Sequence, residues 1–477
     1  MKRKEFFKIS AIGAAGLSLG TSCSRTDQET ANQATAPQEI PAYRDNIKTS
    51  FSTGGRKSSA DKVILALIGA GGYGSRLSMK AAGSGKNVEI KYICDVDETR
   101  GGWALEELEK IQGFRPAMVK DMRKVFDDQE VDGVFIATPE HWHALATIWA
   151  CQAGKDVYVE KPISHNIFEG QQMIKAAMKY ERIVQTGTQN RSPDYAFTAR
   201  DYIRSGELGD ISAVHVRALM DTRPVPFRES ENTNTPDTID WDMWLGPAPG
   251  VPYNVSRHRS WGYYWDYSGG IATAGDGIHT VDLARLVIGD PAFPKSAYCA
   301  GGRYFFDDGR DVPDYQMTTF DYGNFVLTLE SGQCTPYMAK TPPEVRYDKD
   351  LYPEWMQNSS RIQILGTKGL MYVGRMGGGW QVFDQSGNVV AQDGGIYPME
   401  EHIHNFIDCI RSREQPKGDI IQGHQSNTLI HLANLSYRAG NKQLLFSPEY
   451  ETILNDEKAA SLVRRTYRRG YEVTENV

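Results

Sequence analysis

V63-I-L-A-L-I-G-A-G-G-Y-G-S-R-L-S-M-K-A-A82 decides how this chain begins to fold. Val63 to Ile68 is an apolar run of strand length, and a helical pattern starts after the glycines. Gly69, Gly71 and Gly74 stand at the spacing GxGxxG, with Tyr73 inside the turn. The first glycine permits a tight turn, the second lets the backbone approach a pyrophosphate, and the third lets helix and strand pack closely. Unpaired N–H groups at the start of the helix then face the phosphates. Glycine-rich turns are common, so the surrounding sequence has to carry the assignment.

It does so downstream. A second strand, Val88 to Cys94, ends in Asp95, 21 residues after Gly74, where a carboxylate accepts hydrogen bonds from an adenosine ribose. An acid there repels a 2′-phosphate, which favours NAD over NADP; the bland alternative is a turn or capping aspartate. Val131–Ala137 reads as a buried strand, Ala144–Ala153 as a helix and Asp156–Val159 as a further strand. This alternation predicts an α/β domain with a Rossmann-type, doubly wound parallel sheet over residues 61–185. Beyond Gln185 the pattern becomes period-two, in Ile211–Val216, Gln316–Phe320, Phe325–Leu329 and Ile362–Leu365. Residues 186–450 are therefore expected to form an α+β domain with a large, mostly antiparallel, open-faced sheet, followed by a C-terminal extension over 451–477.

The bulk properties narrow the partners. A formal charge of −7 over 477 residues gives no basic field to draw in nucleic acid. Arg464, Arg465, Arg468 and Arg469 read as a solvated helix face. The six cysteines form no CxxC pair and no histidine stands beside them at ligand spacing, so no metal site is expected. Cys94, Cys151 and Cys409 read as buried thiols. Lys2, Arg3 and Lys4 precede a short apolar run, Ile9–Leu19, the layout of a signal peptide over residues 1–23. Leu19-Gly20-Thr21-Ser22-Cys23 resembles a lipoprotein box with Gly20 where leucine is usual, so Cys23 is a candidate lipid anchor to a membrane. Residues 24–60 read as a flexible linker. The expectation is an exported protein, periplasmic or held on a membrane as a lipoprotein.

Thr138-Pro139-Glu140-His141-Trp142-His143 and Glu160-Lys161-Pro162 follow successive strands. With the glycine turn they resemble the Gfo/Idh/MocA family, named for glucose–fructose oxidoreductase and inositol dehydrogenase. The likeness runs over about residues 61–450, through Gly187–Arg191, Trp241–Pro247, Ser268–Asp282, His404–Phe406 and Gly423-His424. The resemblance implies that Lys161 reaches both the nicotinamide ribose and the substrate. It also implies that Thr138, Pro139, His141, Trp142 and His143 line the nicotinamide half of the cofactor, with Glu160 and Gln189 beside it. It implies an active site in the cleft between domains and a homo-oligomer formed through the open sheet face. One departure stands out. The family usually places an aspartate four residues before the histidine equivalent to His279, but here that position is Gly275, Asp276 lies three before, and the segment is one residue longer. Either the backbone bulges to return Asp276 to the site, or the carboxylate role has moved or been lost.

These residue types suit the chemistry. Oxidising a secondary alcohol needs a base for its proton and a cation for the developing alkoxide. His279 suits the first task, Lys161 the second, and Asp276 is the candidate carboxylate; the bland alternative for His279 is a hydrogen-bonded core histidine. Arg257, His258, Arg259, Trp261, Tyr263, Tyr264, Trp265 and Asp266 crowd one loop and read as a carbohydrate-facing wall or as buried anchors. Trp265 and Arg191 are the substrate candidates beside His279. The expected activity is NAD-dependent oxidation or reduction of a sugar or polyol. Two alternatives remain at this point: an NAD-dependent glycosidase working by transient oxidation and elimination, and a non-catalytic sugar-binding lipoprotein. Free NAD is scarce outside the cytoplasm, so an exported enzyme is served best by a cofactor bound before export and regenerated in each cycle.

Overall fold

Val63–Ile68 forms the first strand, β1, of a parallel sheet in a computed structural model that describes residues 61–220, 227–333 and 335–477. The signal peptide, Cys23 and the linker lie outside the described residues. The other strands are β2 (Val88–Cys94), β3 (Ala117–Val119), β4 (Gly133–Ile136), β5 (Asp156–Val159) and β6 (Val184–Thr186), in the order β3-β2-β1-β4-β5-β6. All pairs are parallel. Strands β4 and β5 are buried along their whole length, as expected where helices cover both faces. The order reverses between β1 and β4, and there the carboxyl ends of the strands open a crevice. Helix α1 (Gly72–Ala82) starts at that crevice, and so does α2 (Glu140–Gln152). Helix α2 begins four residues ahead of the expected Ala144, so His141, Trp142 and His143 are wound into its first turns.

The second sheet has ten strands: β7 (Ile211–Leu219), β8 (Ser296–Gly302), β9 (Tyr315–Asp321), β10 (Val326–Gly332), β11 (Ser360–Gly366), β12 (Leu370–Gly374), β13 (Trp380–Phe383), β14 (Val389–Asp393), β15 (Leu444–Ser447) and β16 (Thr452–Ile453). Their order is β14-β13-β12-β11-β7-β10-β9-β8-β15-β16, and only β7 and β10 pair in parallel. Val214, Val216, Leu327, Leu329, Ile362 and Ile364 alternate onto one face and pack in a common core with helices α3 (Ile278–Val287) and α4 (Ile420–Arg438). The opposite face carries the Arg217–Glu330 ion pair, at 2.7 Å, and the exposed Tyr298 and Met317.

Packing does not follow the chain order. The helix Met399–Ser412 returns from the second half, and its stripe Ile403, Phe406, Ile407 and Ile410 joins Phe135 and Tyr158 in a core of the nucleotide sheet. The C-terminal extension also returns. The four arginines do not form a solvated helix face, because the last helix ends at Ser461. Arg465 instead pairs with Glu169 at 2.8 Å and donates to the carbonyl of His141 at 2.9 Å, while Arg468 pairs with Asp242 at 2.8 Å. Val473 and Val477 join the core behind α2. Cys94, Cys151, Cys299 and Cys409 are buried free thiols, and no described helix is long and apolar enough to cross a membrane.

Candidate active site

The crevice holds a cavity of about 270 Å³ lined by Gly69, Gly71, Tyr73, Gly74, Asp95, Thr138, Pro139 and Trp142. Each glycine is there for a separate reason. Gly69 has φ +92°, and a Cβ on it would lie 2.6 Å from the carbonyl of Ala137. A Cβ on Gly74 would lie 2.4 Å from the Gly69 oxygen, so this residue sets how closely α1 meets β1. Gly71 meets nothing within 4 Å, which leaves its backbone open to a pyrophosphate. Asp95 accepts from the N–H groups of Ala70 at 2.8 Å and Asp97 at 2.9 Å. Burial pushes its pKa up, and those two donors oppose the shift. The arrangement fits a dinucleotide: an open glycine backbone at a helix start, with a carboxylate at the end of the next strand.

Two residues of the aromatic and charged loop, open in the sequence between a sugar-facing wall and buried anchors, line this cavity. His258 and Trp261 border it, with His258 Nε2 3.7 Å from the Asp97 carboxylate. Their neighbour Arg257 is occupied by Asp266, at 3.0 Å, and stacks on Tyr264. The earlier segment around Thr238 and Asp240 is fixed to the nucleotide domain by main-chain bonds from Asp240 N to Val96 O at 2.9 Å and from Glu98 N to Thr238 O at 3.0 Å.

His141 and His143 do not line the cavity, contrary to expectation, because the early start of α2 turns them inward. His141 bonds the Trp244 carbonyl at 2.9 Å between the rings of Trp244 and Tyr267. His143 lies between the carbonyls of Thr138, at 2.8 Å, and Pro162, at 2.7 Å, and so ties the cavity wall to the Glu160-Lys161-Pro162 turn. Burial lowers its pKa to about 4, so the ring stays neutral and donates its one N–H to one of these two carbonyls at a time. Glu140, quoted in the motif but given no separate role there, accepts from Ser268 Oγ at 2.9 Å and Gly269 N–H at 2.8 Å, linking α2 to the Ser268-Gly269-Gly270 turn. Gln189 donates to the hydroxyls of Tyr73 at 2.8 Å and Tyr158 at 3.2 Å, which joins the glycine turn to the end of β5. Burial raises Glu160 to about 7, against the charge of Lys161.

Lys161 Nζ donates to the carbonyl of Gly275 at 2.6 Å, so the turn after β5 meets the segment carrying Asp276 and His279. The first part of that segment, Gly270–Gly277 with Asp276, is a π-helix running directly into α3, which carries His279. A π-helix uses more residues per turn than an α-helix and so absorbs the extra residue seen in the sequence. Asp276 is thereby turned toward cations: its Oδ1 accepts from Arg375 at 2.8 Å and Lys340 at 3.3 Å. Burial pushes the carboxyl pKa up, but Arg375, Lys340 and Lys161 outweigh it and hold it below its ordinary value. His279 is held well below its ordinary pKa by burial and by the charges of Arg375, Lys161 and Lys340. Its Nδ1 is buried and has no hydrogen-bond partner among the described residues. Arg375 and Lys340 were not foreseen.

The two substrate candidates lie elsewhere. Arg191 is 2% exposed, with Nε 2.8 Å from Asp282 and Nη2 2.8 Å from Asp290, so its guanidinium is committed to a buried ion-pair network. Trp265 faces Tyr437 and Arg438 beside a separate small cavity that also contains His165 and His431. Among the described residues no His, Cys, Asp or Glu cluster is suited to a metal.

A parallel nucleotide sheet, its glycine turn and a lysine meeting a histidine-bearing helix define an NAD-binding oxidoreductase. Residues 63–188 match the oxidoreductase family described as an NAD-binding Rossmann fold, and residues 225–297 and 383–473 match the C-terminal alpha/beta domain of such oxidoreductases. The chain belongs to the Gfo/Idh/MocA oxidoreductase family, as an enzyme whose cofactor is NAD. The non-catalytic alternative is set aside. An uncharacterised oxidoreductase, YrbE, of Bacillus subtilis is 23% identical over 65% of this chain and 72% of its own length. Inositol 2-dehydrogenase of Salmonella paratyphi B is 28% identical over 32% of this chain and 44% of that enzyme, so this match spans under half of the relative. A glycosyl hydrolase family 109 protein of Shewanella pealeana is 27% identical over 38% of each chain. Among solved structures, the WlbA dehydrogenase of Bordetella pertussis with NADH and UDP-GlcNAcA superposes with a TM-score of 0.57 at 21% identity, covering 81% of this chain and 99% of that one. A levoglucosan dehydrogenase with NADH and levoglucosan gives 0.57 at 19% identity over the same shares. These likenesses show the fold.

Proposed function

We propose that this enzyme transfers hydride between a hydroxyl of a sugar or polyol and an NAD held tightly in the crevice. The observation that carries the reading is the contact of Lys161 Nζ with Gly275, which brings the lysine to the π-helix bearing Asp276 and leading to His279. When bound, NAD supplies the hydride acceptor. The protein's own residues do the rest. His279, kept neutral by burial and neighbouring cations, accepts the hydroxyl proton on its imidazole ring. Lys161 stabilises the alkoxide, and the charges that depress His279 depress the pKa of a bound alcohol as well. Glu140 positions the start of the π-helix. Tight holding of the nucleotide is supported by the main-chain bonds that tie Thr238 and Asp240 to the end of β2, next to Trp241 and Trp244, whose rings pack on His258 at the cavity wall. The dehydrogenase relatives support a sugar or polyol substrate. The family 109 relative supports a second reading on the same machinery, a glycosidase that oxidises, eliminates and reduces back.

The test begins with mass spectrometry of the gently denatured protein for bound nucleotide, followed by cofactor-reduction assays on a panel of sugars and glycosides. Lys161→Ala and His279→Ala are each expected to keep the nucleotide and the fold while slowing cofactor reduction by about 10² or more. Wild-type rates in both variants would refute the reading. Glycoside cleavage without net cofactor change would select the second one.

Export is proposed from the Lys2–Lys4 and Ile9–Leu19 pattern, with Cys23 as the anchor. Self-association through the open sheet face is proposed from its exposed Tyr298 and Met317.

A further inference from the structure

Two cations at this site enter the chemistry above only through their charge, with no ligand group assigned to them. Arg375 follows the last residue of β12, and Lys340 lies between β10 and β11; both grip the same oxygen of Asp276. With Lys161, three cations stand near three carboxylates, Asp276, Glu160 and Glu140, the last raised by burial to about 7 against the charge of Lys161. Glu160 is only partly ionised at neutral pH because burial raises it to about 7. A positive remainder is left around His279, and unbalanced charge in a buried site is costly unless an anion enters with the ligand.

The hydrogen-bond inventory locates that anion. Arg375 is 5% exposed, and Asp276 engages its Nη1. Its Nε is buried without a partner among the described residues, as are Asp276 Oδ2 and His279 Nδ1. Such orphaned atoms are rare in native interiors, and here three occur on residues joined by one ion pair and one helical turn. The Nε–Nη2 edge of a guanidinium is a planar two-donor fork that matches a carboxylate. Lys340, with its side chain 27% exposed, adds charge beside it without fixing direction.

We infer that the substrate is a sugar acid, a polyhydroxy carboxylate, whose carboxylate docks on the Nε–Nη2 edge of Arg375 beside Lys340 while a neighbouring hydroxyl faces His279. This rests on the oxidoreductase reading and adds the substrate's charge to it. Arg375 and Lys340 are then specificity residues, and Asp276 aims the arginine.

The test uses the full-length holoenzyme with the gluco, galacto and manno uronates. The matching uronamides serve as neutral isosteres, and the 6-phosphates of the parent sugars are a second anion. Two readouts run in parallel: cofactor reduction, and ligand-induced thermal stabilisation. At least one uronate is expected to exceed its amide about 10-fold or more in kcat/KM and to stabilise the protein where the amide does not. Arg375→Lys keeps the charge but loses the fork, and it should bring the uronate-to-amide ratio down toward one. Lys340→Gln, at a partly exposed site that tolerates change, should lower it by a smaller factor and keeps the test decisive if the arginine variant misfolds. Equal turnover of uronate and amide overturns the inference while leaving the oxidoreductase reading intact. Preference for the phosphates overturns the carboxylate assignment. Carboxylate-dependent stabilisation lost in Arg375→Lys, without any cofactor reduction, supports the site and sinks the redox reading. No carboxylate-dependent effect in either readout overturns the inference.

Discussion

Replacing Arg191 separates a substrate residue from a structural one. The side chain is 2% exposed and bonds both oxygens of Asp282, at 2.8 and 3.0 Å, as well as both of Asp290, at 3.1 and 2.8 Å. Arg191→Met keeps the volume and removes the charge, leaving Asp282 fully buried with only Ser426 Oγ, at 2.6 Å, among its strong donors. Breaking a buried pair from one side costs about 3–5 kcal/mol. With an unfolding entropy of roughly 2.1 cal/mol/K per residue, a body of about 400 residues loses on the order of 5 °C in Tm. The loss should depend on pH in a defined direction. Burial already holds the Asp282 carboxyl above its ordinary value against the charge of Arg191, and without the guanidinium it rises further, so its penalty above the unfolded pKa of about 3.9 grows. The penalty is relieved as pH falls through the raised folded pKa. In the wild type Asp290 behaves oppositely. Burial pushes it up, but Arg191 holds it below its ordinary value, so its stabilisation persists until pH drops through that depressed pKa. The gap in Tm between variant and wild type should therefore narrow from pH 7 to pH 5. Calorimetry across that range checks the stability, and steady-state kinetics on the active substrate checks KM, which should change by no more than about twofold. An unchanged Tm with KM raised tenfold would refute the structural assignment and return Arg191 to the substrate.

Asp95→Ala should weaken NAD and relax discrimination against NADP, measured by titrating the nucleotide-stripped protein with both. Unchanged selectivity would mean that this carboxylate does not meet the ribose. Because His279 is held below its ordinary pKa and acts as a base in the oxidative direction, kcat/KM should stay flat as pH falls through about 6.5 and decline only at lower pH. An acid limb above the ordinary histidine range, persisting in Glu160→Gln, would contradict the proposed base.

The nucleotide half was legible because its signal is local. The glycine turn and the aspartate after the next strand lie within one βαβ unit, and their roles follow from backbone geometry that few other residues permit. Where the reading went astray, direction was at fault more than position. Gln189 and Arg191 share one short turn, yet Gln189 faces Tyr73 and Arg191 faces Asp282. Sequence adjacency carries no such information. His141 and His143 sit in the expected motif, but Pro139 starts the helix early and turns them into the core. Arg375 and Lys340 reach Asp276 from 99 and 64 residues away, through a sheet whose strand order no periodicity reveals. The arginines after Ser461 looked like a solvated face because a charge run was read without knowing what the chain returns to.

The displaced aspartate shows how spacing and geometry trade against each other. In an α-helix a side chain three residues before His279 and one four before it both lie on its face, but at different angles, so a shift of one position would re-aim the carboxylate. Here the inserted residue is taken up by the π-helix Gly270–Gly277, and the carbonyl of Gly275, at the usual aspartate position, receives Lys161. The lysine is thus held by an uncharged acceptor and keeps its positive charge available for an alkoxide. The carboxylate one residue later is spent on Arg375 and Lys340, which come from the sheet region of its own domain. The insertion therefore splits a task that one aspartate would perform alone: backbone orients the lysine, and Asp276 orients cations. A site built this way carries more positive charge than a lysine–aspartate–histidine set with a direct lysine–aspartate contact. Burial first, and that excess with it, keeps His279 unprotonated, and the excess favours a negatively charged substrate over a neutral one.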